Sequence, residues 1–358
     1  MQLNKMFYFF AILIVIIIVI LSFSIVAIMT PISNDWAIKV TQIDRLHELG
    51  YYGNNVTIGI IDTGLDINHQ DFNKNSFIAW NDSINSNQDY YDDEDHGTHI
   101  CGILASKSSI QGIYSGVKLQ GVSHDSEFII VKAIPQNQYL FGGGNDSIIS
   151  ESIDFCIENE VDIILISLGP IPENCDFSKN NLTMESINRA IKKGIFIVVP
   201  SGNDGQYDDG DVCFPGIIDN VISVGAMSKG NSIMSFSSKG HQYPNNLHPN
   251  KKPELVAPGD QIVSTRIHGA YGEISGTSQA AAYVTGIIAL LLDAYPEFKQ
   301  DGIKNENEST IQLFKDTLAM TAKKIGNLMN NNDEMSHDDL YGYGLIQAYD
   351  AYKELAKY

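Results

Sequence analysis

The sequence predicts an α/β fold with a mostly parallel central sheet, helices on both faces and a transmembrane helix ahead of it. Short β-branched runs alternate with helix-like stretches, and these runs are apolar throughout, as strands buried on both faces are. Repetition of strand, helix and strand implies parallel pairing with crossover helices. A long uncharged run at the N-terminus predicts the membrane helix.

The uncharged run is Phe7 to Met29, 23 residues in all. At about 1.5 Å per residue, a helix of this length spans a hydrocarbon core of roughly 30 Å. Lys5 precedes the run, which favours a cytoplasmic N-terminus and places the rest of the chain outside. The alternative is a signal peptide that is removed, since Ser24–Ala27 approximates a cleavage site. Both alternatives export the remainder.

This organisation divides the chain into three parts. Residues 1–29 form a signal anchor or signal peptide, residues 30–34 a short linker, and residues 35–358 one folded domain. The predicted location is therefore the outer side of a membrane, with the domain anchored there or, if the first part is cleaved, secreted.

The predicted secondary structure of the domain places its functional loops. The predicted strands are Val56–Asp62, Phe128–Ile134, Val161–Gly169, Ile195–Asn203 and Val221–Met227. Two helices are predicted between them, at Ser147–Glu160 and Met184–Lys193. In open α/β sheets, functional loops collect at the carboxyl ends of the strands. Attention therefore falls on Asp62, Gly169 and Asn203, which close three of these strands.

Composition narrows the class of partner. The chain carries 23 Lys and Arg against 43 Asp and Glu, a formal charge of −20. Such a charge repels nucleic acid and anionic membrane surfaces, so no nucleic-acid partner is expected.

The four cysteines divide by their surroundings. An oxidising compartment permits disulfides, and Cys175 and Cys213 both lie in polar, loop-like sequence, which makes them the candidate pair. Cys101 and Cys156 have apolar neighbours, which is typical of reduced, buried thiols.

Two sequence segments supply a candidate acid and base. Asp62 ends a predicted strand, where a carboxylate can fix the tautomer of an imidazole. In "DHGTHICGILAS", residues 95–106, His96 and His99 precede a helix-like run. Their spacing could suggest two metal ligands, but no third ligand stands at a characteristic spacing nearby. One histidine is therefore interpreted as a general base and the other as a structural contact.

A third segment, "ISGTSQAAAYVTG", contains a candidate nucleophile. Its small residues allow a sharp turn followed by a closely packed helix, so Ser278 falls near a helix N-terminus that favours negative charge. Taken alone, the segment is equally consistent with Thr277 or Ser278 as an ordinary N-cap.

The combination decides between these interpretations. Asp62, His96 and Ser278 occur in the chain order Asp, His, Ser, one of three unrelated orders in which catalytic triads occur. Asn203 follows another strand in "VVPSGNDG", from which a side-chain amide can donate to an oxyanion.

These segments resemble those of the subtilisin-like serine proteases. "GIIDTGLD", "HGTHICG" and "SGTSQAAAYVTG" resemble the aspartate, histidine and serine motifs, and the similarity runs from about residue 35 to 353. The resemblance implies a three-layer subtilisin-like fold, with Asp62, His96 and Ser278 as the triad and Asn203 in the oxyanion hole. It also implies that His96, and not His99, is the base.

The resemblance implies further contacts and partners. "ISLGP" resembles the segment that pairs with extended substrate, so Ser167, Leu168 and Gly169 are expected to bind peptide backbone. The expected partners are polypeptide substrates, with membrane contact only through the N-terminal helix and a monomeric state. No cofactor is required; family members often hold Ca²⁺ through an aspartate that matches Asp71, and this stays an optional ligand here.

The sequence also departs from the family pattern. Gln279 and Ala282 stand where the family has methionine and proline, and Ala282 suits a helix interior better than proline does. The stretch from Asp35 onward already resembles the start of the catalytic domain, so no pro-domain is recognisable before it. The expected function is an exported serine endopeptidase; the alternative is a catalytically silent peptide-binding module on the same fold.

Overall fold

The computed structural model describes most of the chain beyond the N-terminal segment. The described residues are 12–18, 32–108, 116–136, 145–167, 181–206, 212, 214–240, 251–300, 302–304, 307–330 and 333–358.

Strands and helices alternate along these residues. The strands are β1 Ile32–Ser33, β2 Thr57–Asp62, β3 Phe77–Asp82, β4 Val117–Lys118, β5 Glu127–Lys132, β6 Ile163–Ile166, β7 Phe196–Pro200, β8 Ile222–Met227, β9 Leu255–Pro258, β10 Ile262–Arg266 and β11 Ala270–Ile274. The helices are α1 Asp35–Val40, α2 Ile43–Glu48, α3 His96–Ala105, α4 Asp146–Glu158, α5 Asn181–Lys192, α6 Thr277–Ala294, α7 Glu308–Thr321 and α8 Ala348–Leu355.

Seven strands form one parallel sheet in the order β3-β5-β2-β6-β7-β8-β9. The five predicted strands are all present in it, so the predicted α/β class with a mostly parallel sheet is confirmed. Three of them end earlier than predicted: β5 stops at Lys132, β6 at Ile166 and β7 at Pro200. Ser167, Ser201 and Asn203 therefore follow the strands at their carboxyl ends.

The sequence analysis missed β3 and β9, which form the two outer strands of this sheet. Outer strands have a neighbouring strand on one side only. In β3 the burial is also partial, because Phe77 is buried whereas Ile78 is exposed. β9 has four residues and ends in Pro258, a residue tolerated at the margin of a sheet. Neither strand is the long, uniformly apolar run that identified the central strands.

The core is centred on α6. Every residue from Thr277 to Leu292 is buried, and the helix packs against β6, β7, β8, β9 and α3. Among the described residues, α6 alone is long and apolar enough to cross a membrane, but 89% of its apolar window is buried inside the protein. We therefore assign α6 as the core helix of the fold.

At the amino ends of the strands, one buried glutamate pairs with two lysines. Lys252 Nζ lies 2.5 Å from Glu254 Oε1 and donates to the carbonyl oxygens of Ile218 and Val221. Glu254 also pairs with Lys315 at 3.0 Å and accepts from the Ser223 N–H. Burial lowers the pKa of Lys252 to about 8. This cluster lines a cavity of about 470 Å³ together with Asp219, Asp316 and Tyr343.

Two predictions concern residues that lie partly or wholly outside the described residues. Residues 12–18 are helical with exposed side chains, and the rest of the predicted anchor lies outside the described residues. Cys175 and Cys213, the predicted disulfide pair, also lie outside them. Cys101 and Cys156 are buried and free, as predicted, and burial raises the pKa of the Cys156 thiol to about 12.

Candidate active site

The carboxyl end of β2 holds a buried aspartate against a histidine. Asp62 is fully buried and its two carboxylate oxygens lie 2.8 and 3.0 Å from Nδ1 of His96. The backbone N–H of Thr63 donates to the same carboxylate at 2.6 Å. The carboxylate thus accepts the proton of Nδ1, which leaves the basic lone pair of the imidazole on Nε2. This is the pairing that the sequence predicts for an acid and its base.

Two glycines make the pairing sterically accessible. A Cβ on Gly97 would lie 2.2 Å from the carbonyl oxygen of Gly64, and a Cβ on Gly64 would lie 2.0 Å from that of Tyr91. Gly64 also has a φ of +123°, which favours glycine over other residues. The loop after β2 and the first turn of α3 can therefore approach closely enough for Asp62 to reach His96.

Asp92 organises the entry to α3, a role that the sequence analysis missed. Its Oδ1 accepts from the hydroxyl of Thr63 and from two backbone N–H groups, and its Oδ2 accepts from the backbone and hydroxyl of Thr98. Thr63 in turn accepts from the Gly97 N–H at 2.8 Å. Asp92, a member of the acidic run before His96, thus ties the aspartate segment to the histidine segment.

His99 serves the fold and not the proposed chemistry. Its Nε2 lies 3.0 Å from the carbonyl oxygen of Ile262 in β10, and the ring is fully buried. Burial, with a contribution from nearby His96, lowers the pKa of His99 to about 3. A neutral, buried ring bonded to backbone matches the predicted structural contact.

Ser278 is the second residue of α6 and is 1% exposed. Gly276 is the N-cap, in an extended conformation, and no side chain caps the helix, so the alternative of Thr277 or Ser278 as an ordinary N-cap is not borne out. The side chains of Thr277 and Ser278 therefore do not cap the helix. Since α3 packs against α6, the helices that begin at His96 and Thr277 are neighbours.

Thr277 fixes the orientation of Asn203. The backbone N–H and the hydroxyl of Thr277 both lie 3.0 Å from Oδ1 of Asn203. With its oxygen held in this way, the amide of Asn203 directs its donor, Nδ2, away from Thr277. Nδ2 lies 3.8 Å from the point where a Cβ on Gly276 would stand. A hydrogen-bond donor is thus held beside the turn that carries Ser278.

The carboxyl ends of β2, β6 and β7 lie side by side, because these strands are consecutive in the sheet. They lead directly to Asp62, Ser167 and Ser201, and Asn203 follows two residues later. The hydroxyls of Ser167 and Ser201 are buried and have no hydrogen-bond partner among the described residues. Leu168 and Gly169, the other predicted backbone-binding residues, lie outside the described part of the chain.

The position expected for a calcium ligand is occupied by a protein contact network. Asp71 accepts hydrogen bonds from the hydroxyls of Ser106 and Tyr271, at 3.1 and 3.0 Å. The described residues contain no group of three or more His, Cys, Asp or Glu side chains that could hold a metal ion. The optional calcium ligand stays a prediction.

Comparison with known proteins identifies the family. The model of the subtilase family of peptidases matches residues 53–344. The chain is 31% identical to the major intracellular serine protease of Bacillus subtilis (strain 168), over 80% of this chain and 83% of that protein. It is 28% identical to the minor extracellular protease Epr of the same organism, over 87% of this chain but only 41% of that protein. It is 30% identical to the subtilisin of Bacillus pumilus, over 77% and 90% of the two chains.

The chain therefore belongs to the subtilase family of serine proteases. The predicted family is confirmed, and with it the class of enzyme.

Proposed function

We propose that this subtilase is an exported endopeptidase that cleaves peptide bonds through an acyl-enzyme, with Ser278 as nucleophile, His96 as base and Asp62 as orienting acid. The observation that carries the proposal is the buried Asp62–His96 pair, 2.8 Å apart, at the same ends of the strands as Asn203 and the start of α6. A silent module would have no need of a carboxylate fully buried against an imidazole, because burying a charge is costly unless function or pairing demands it.

The chemistry follows from the roles of these groups. His96 takes the proton of the Ser278 hydroxyl as its oxygen attacks the scissile carbonyl carbon, and returns that proton to the leaving amine. Asp62 holds the ring in the tautomer with a proton on Nδ1 and stabilises the imidazolium that forms. Water then repeats the sequence on the ester, which releases the acid product and restores Ser278.

The negative charge on the carbonyl oxygen requires donors that are already in place. Asn203 Nδ2 provides one, because Thr277 holds its oxygen, and the backbone N–H of Ser278 at the positive end of α6 provides another. Fixed donors need little reorganisation when the charge develops, which is why such groups lower the barrier.

Extended substrate would be bound by the segment after β6. Its residues, Ser167, Leu168 and Gly169, follow β6 in the sequence, and a peptide is proposed to add to this segment through backbone hydrogen bonds. The buried hydroxyl of Ser167, which has no partner among the described residues, supports a role for this segment in binding.

Export is proposed from the apolar segment at residues 7–29. Residues 12–18, the described part of it, are helical and expose isoleucine, leucine and valine side chains, which suits a lipid or a secretion channel. Of two relatives, one is named an intracellular protease and the other an extracellular protease. N-terminal sequencing of the protein recovered from membrane and medium fractions tests the proposal: an intact anchor in membranes or a cleaved form in the medium supports it, and recovery in the cytosol contradicts it.

The catalytic assignment is tested by hydrolysis of a denatured protein substrate. We expect Ser278→Ala to lose about 10⁶-fold in kcat, the size known for the corresponding change in subtilisin, a relative of this chain. Thr277→Ser, which keeps the hydroxyl beside it, is the matched control and retains activity. Equal cleavage by the Ser278→Ala variant and the parent would refute the assignment.

A further inference from the structure

Gln279, directly after the proposed nucleophile, has a buried side-chain amide without a partner among the described residues. The residue is 1% exposed, and neither Nε2 nor Oε1 makes a hydrogen bond with any described residue. Leaving a buried amide unsatisfied costs about 1–3 kcal/mol, so most buried amides in proteins are bonded. The amide of Gln279 thus has unused hydrogen-bonding capacity next to Ser278.

An ordinary structural role for Gln279 does not account for this amide. Gln279 is the third residue of α6, the position from which a glutamine often bonds back to the N–H of the N-cap. Here the N–H of the N-cap, Gly276, already donates to the carbonyl oxygen of Gly259 at 2.8 Å. The capping bond is not formed, and the amide is left without that partner.

The amide of Gln279 lies beside Gly276, as the amide of Asn203 does. Oε1 of Gln279 is 2.6 Å from the point where a Cβ on Gly276 would stand, and Asn203 Nδ2 is 3.8 Å from the same point. Two side-chain amides therefore flank Gly276. This glycine precedes Thr277 by one residue and Ser278 by two. A half turn about χ3 exchanges Nε2 and Oε1 of Gln279, and no hydrogen bond to a described residue holds either orientation.

We propose that Gln279 is a further substrate-contacting residue, whose Nε2 donates to the scissile carbonyl oxygen alongside Asn203 as the oxyanion forms. The inference rests on the proposed function, since it assumes attack by Ser278. The amide of Gln279 has no partner among the described residues of the free enzyme and gains one in the transition state. The interaction therefore lowers the barrier without tightening ground-state binding. Departure from the family's methionine at this position would then add a donor to the site.

The test replaces Gln279 by Met, which has a similar length and no donor. One neutral hydrogen bond contributes about 0.5–1.5 kcal/mol, so we expect Gln279→Met to lower kcat about 3- to 10-fold with KM unchanged. Because the variant removes an unsatisfied buried amide, its melting temperature should rise. Affinity for a peptidyl aldehyde, which forms a tetrahedral adduct, should fall by the same factor as kcat.

Gln279→Glu provides a second variant of the same shape. A carboxylate at this position repels the oxyanion, so we expect a larger loss of kcat than in Gln279→Met. Unchanged kcat in Gln279→Met, a change confined to KM, or full activity in Gln279→Glu would each overturn the inference.

Labelling separates this inference from the proposed function. If the parent protein neither hydrolyses peptides nor reacts with a fluorophosphonate at Ser278, the proposed function fails. If the parent reacts and Gln279→Met matches it in kcat, only the role of Gln279 fails.

Discussion

The amino ends of the parallel strands hold a buried ion-pair cluster, whereas the carboxyl ends hold several buried side chains without protein partners. At the amino ends, Glu254 pairs with Lys252 and Lys315, and Asp162 accepts from the Thr57 N–H at 3.0 Å. One hydroxyl there, that of Ser223, also has no partner among the described residues. At the carboxyl ends, buried hydrogen-bonding groups are left without protein partners: the hydroxyls of Ser167 and Ser201 and the amide of Gln279 have none among the described residues.

This difference separates stability from function within one sheet. Closed charge networks contribute to the folded state, and removing one partner leaves a costly buried charge. Groups without partners weaken the folded state, and they are retained where a ligand can satisfy them. Substitutions at the amino ends should therefore change stability, and substitutions at the carboxyl ends should change activity.

The largest expected difference in kcat comes from making the same substitution, Asp to Asn, at the carboxyl and at the amino ends of the strands. Asp62→Asn should lower kcat about 10⁴-fold, as in the Ser-His-Asp proteases, because an amide favours the wrong tautomer of His96. Asp162→Asn is the matched change at the amino ends. Steady-state kinetics should show parent-like turnover for it, and thermal unfolding should show its effect. A comparable loss of kcat in both variants would contradict the separation.

Replacement of Asn203 tests the proposed oxyanion site, and we expect an intermediate loss of kcat. Asn203→Ala should lower kcat about 10²- to 10³-fold with little change in KM; this magnitude is that of the equivalent asparagine in subtilisin. Thr277→Val is the control, because it removes one of the two hydrogen bonds that orient the amide and should cost less. If KM rose while kcat stayed constant, Asn203 would be a ground-state binding residue.

Glu254 tests the amino ends. Glu254→Gln leaves the buried ammonium of Lys252 without its carboxylate, so the free energy of unfolding should fall by about 3–5 kcal/mol. Denaturant titration measures this change, with Glu273→Gln, an exposed carboxylate in β11, as a control that should shift by less than about 0.5 kcal/mol. The folded fraction of Glu254→Gln should keep the kcat of the parent, and a specific loss of kcat would place the cluster in the catalytic machinery.

A pH-dependent effect on stability concerns His99. Burial lowers the pKa of His99 to about 3, whereas the unfolded chain protonates this ring near 6.5. Between these values the unfolded state binds more protons, so stability falls as pH decreases from 6.5 toward 3, by up to about 1.4 kcal/mol per pH unit. Denaturant titrations across this range should show a shallower dependence in His99→Gln. An identical dependence in parent and variant would show that His99 does not contribute.

Sequence patterns predicted the central strands and the separate catalytic motifs because both are local. Apolar runs identify strands buried on two faces, and Asp62, His96 and Ser278 each lie in a short characteristic segment. The outer strands β3 and β9 were missed, since partial burial or short length removes that signal.

Contacts between distant segments could not be predicted in the same way. Asp92 binds Thr63 and Thr98, and Thr277 orients Asn203, but these partners meet only in the folded chain. The N-cap lies at Gly276, whose N–H bonds to Gly259, a contact that a sequence pattern does not reveal. Gln279 was recognised as a departure from the family, and its unused amide became apparent only from the packing around it.

Covalent labelling tests the central claim most directly. A fluorophosphonate reacts with a serine hydroxyl only when a base and an oxyanion site activate it, so mass spectrometry of the labelled protein reports the nucleophile itself. We expect one adduct per folded chain, on Ser278, with none in Ser278→Ala and little in Asp62→Asn. Absence of an adduct on the folded parent, or an adduct on another serine, would contradict the account.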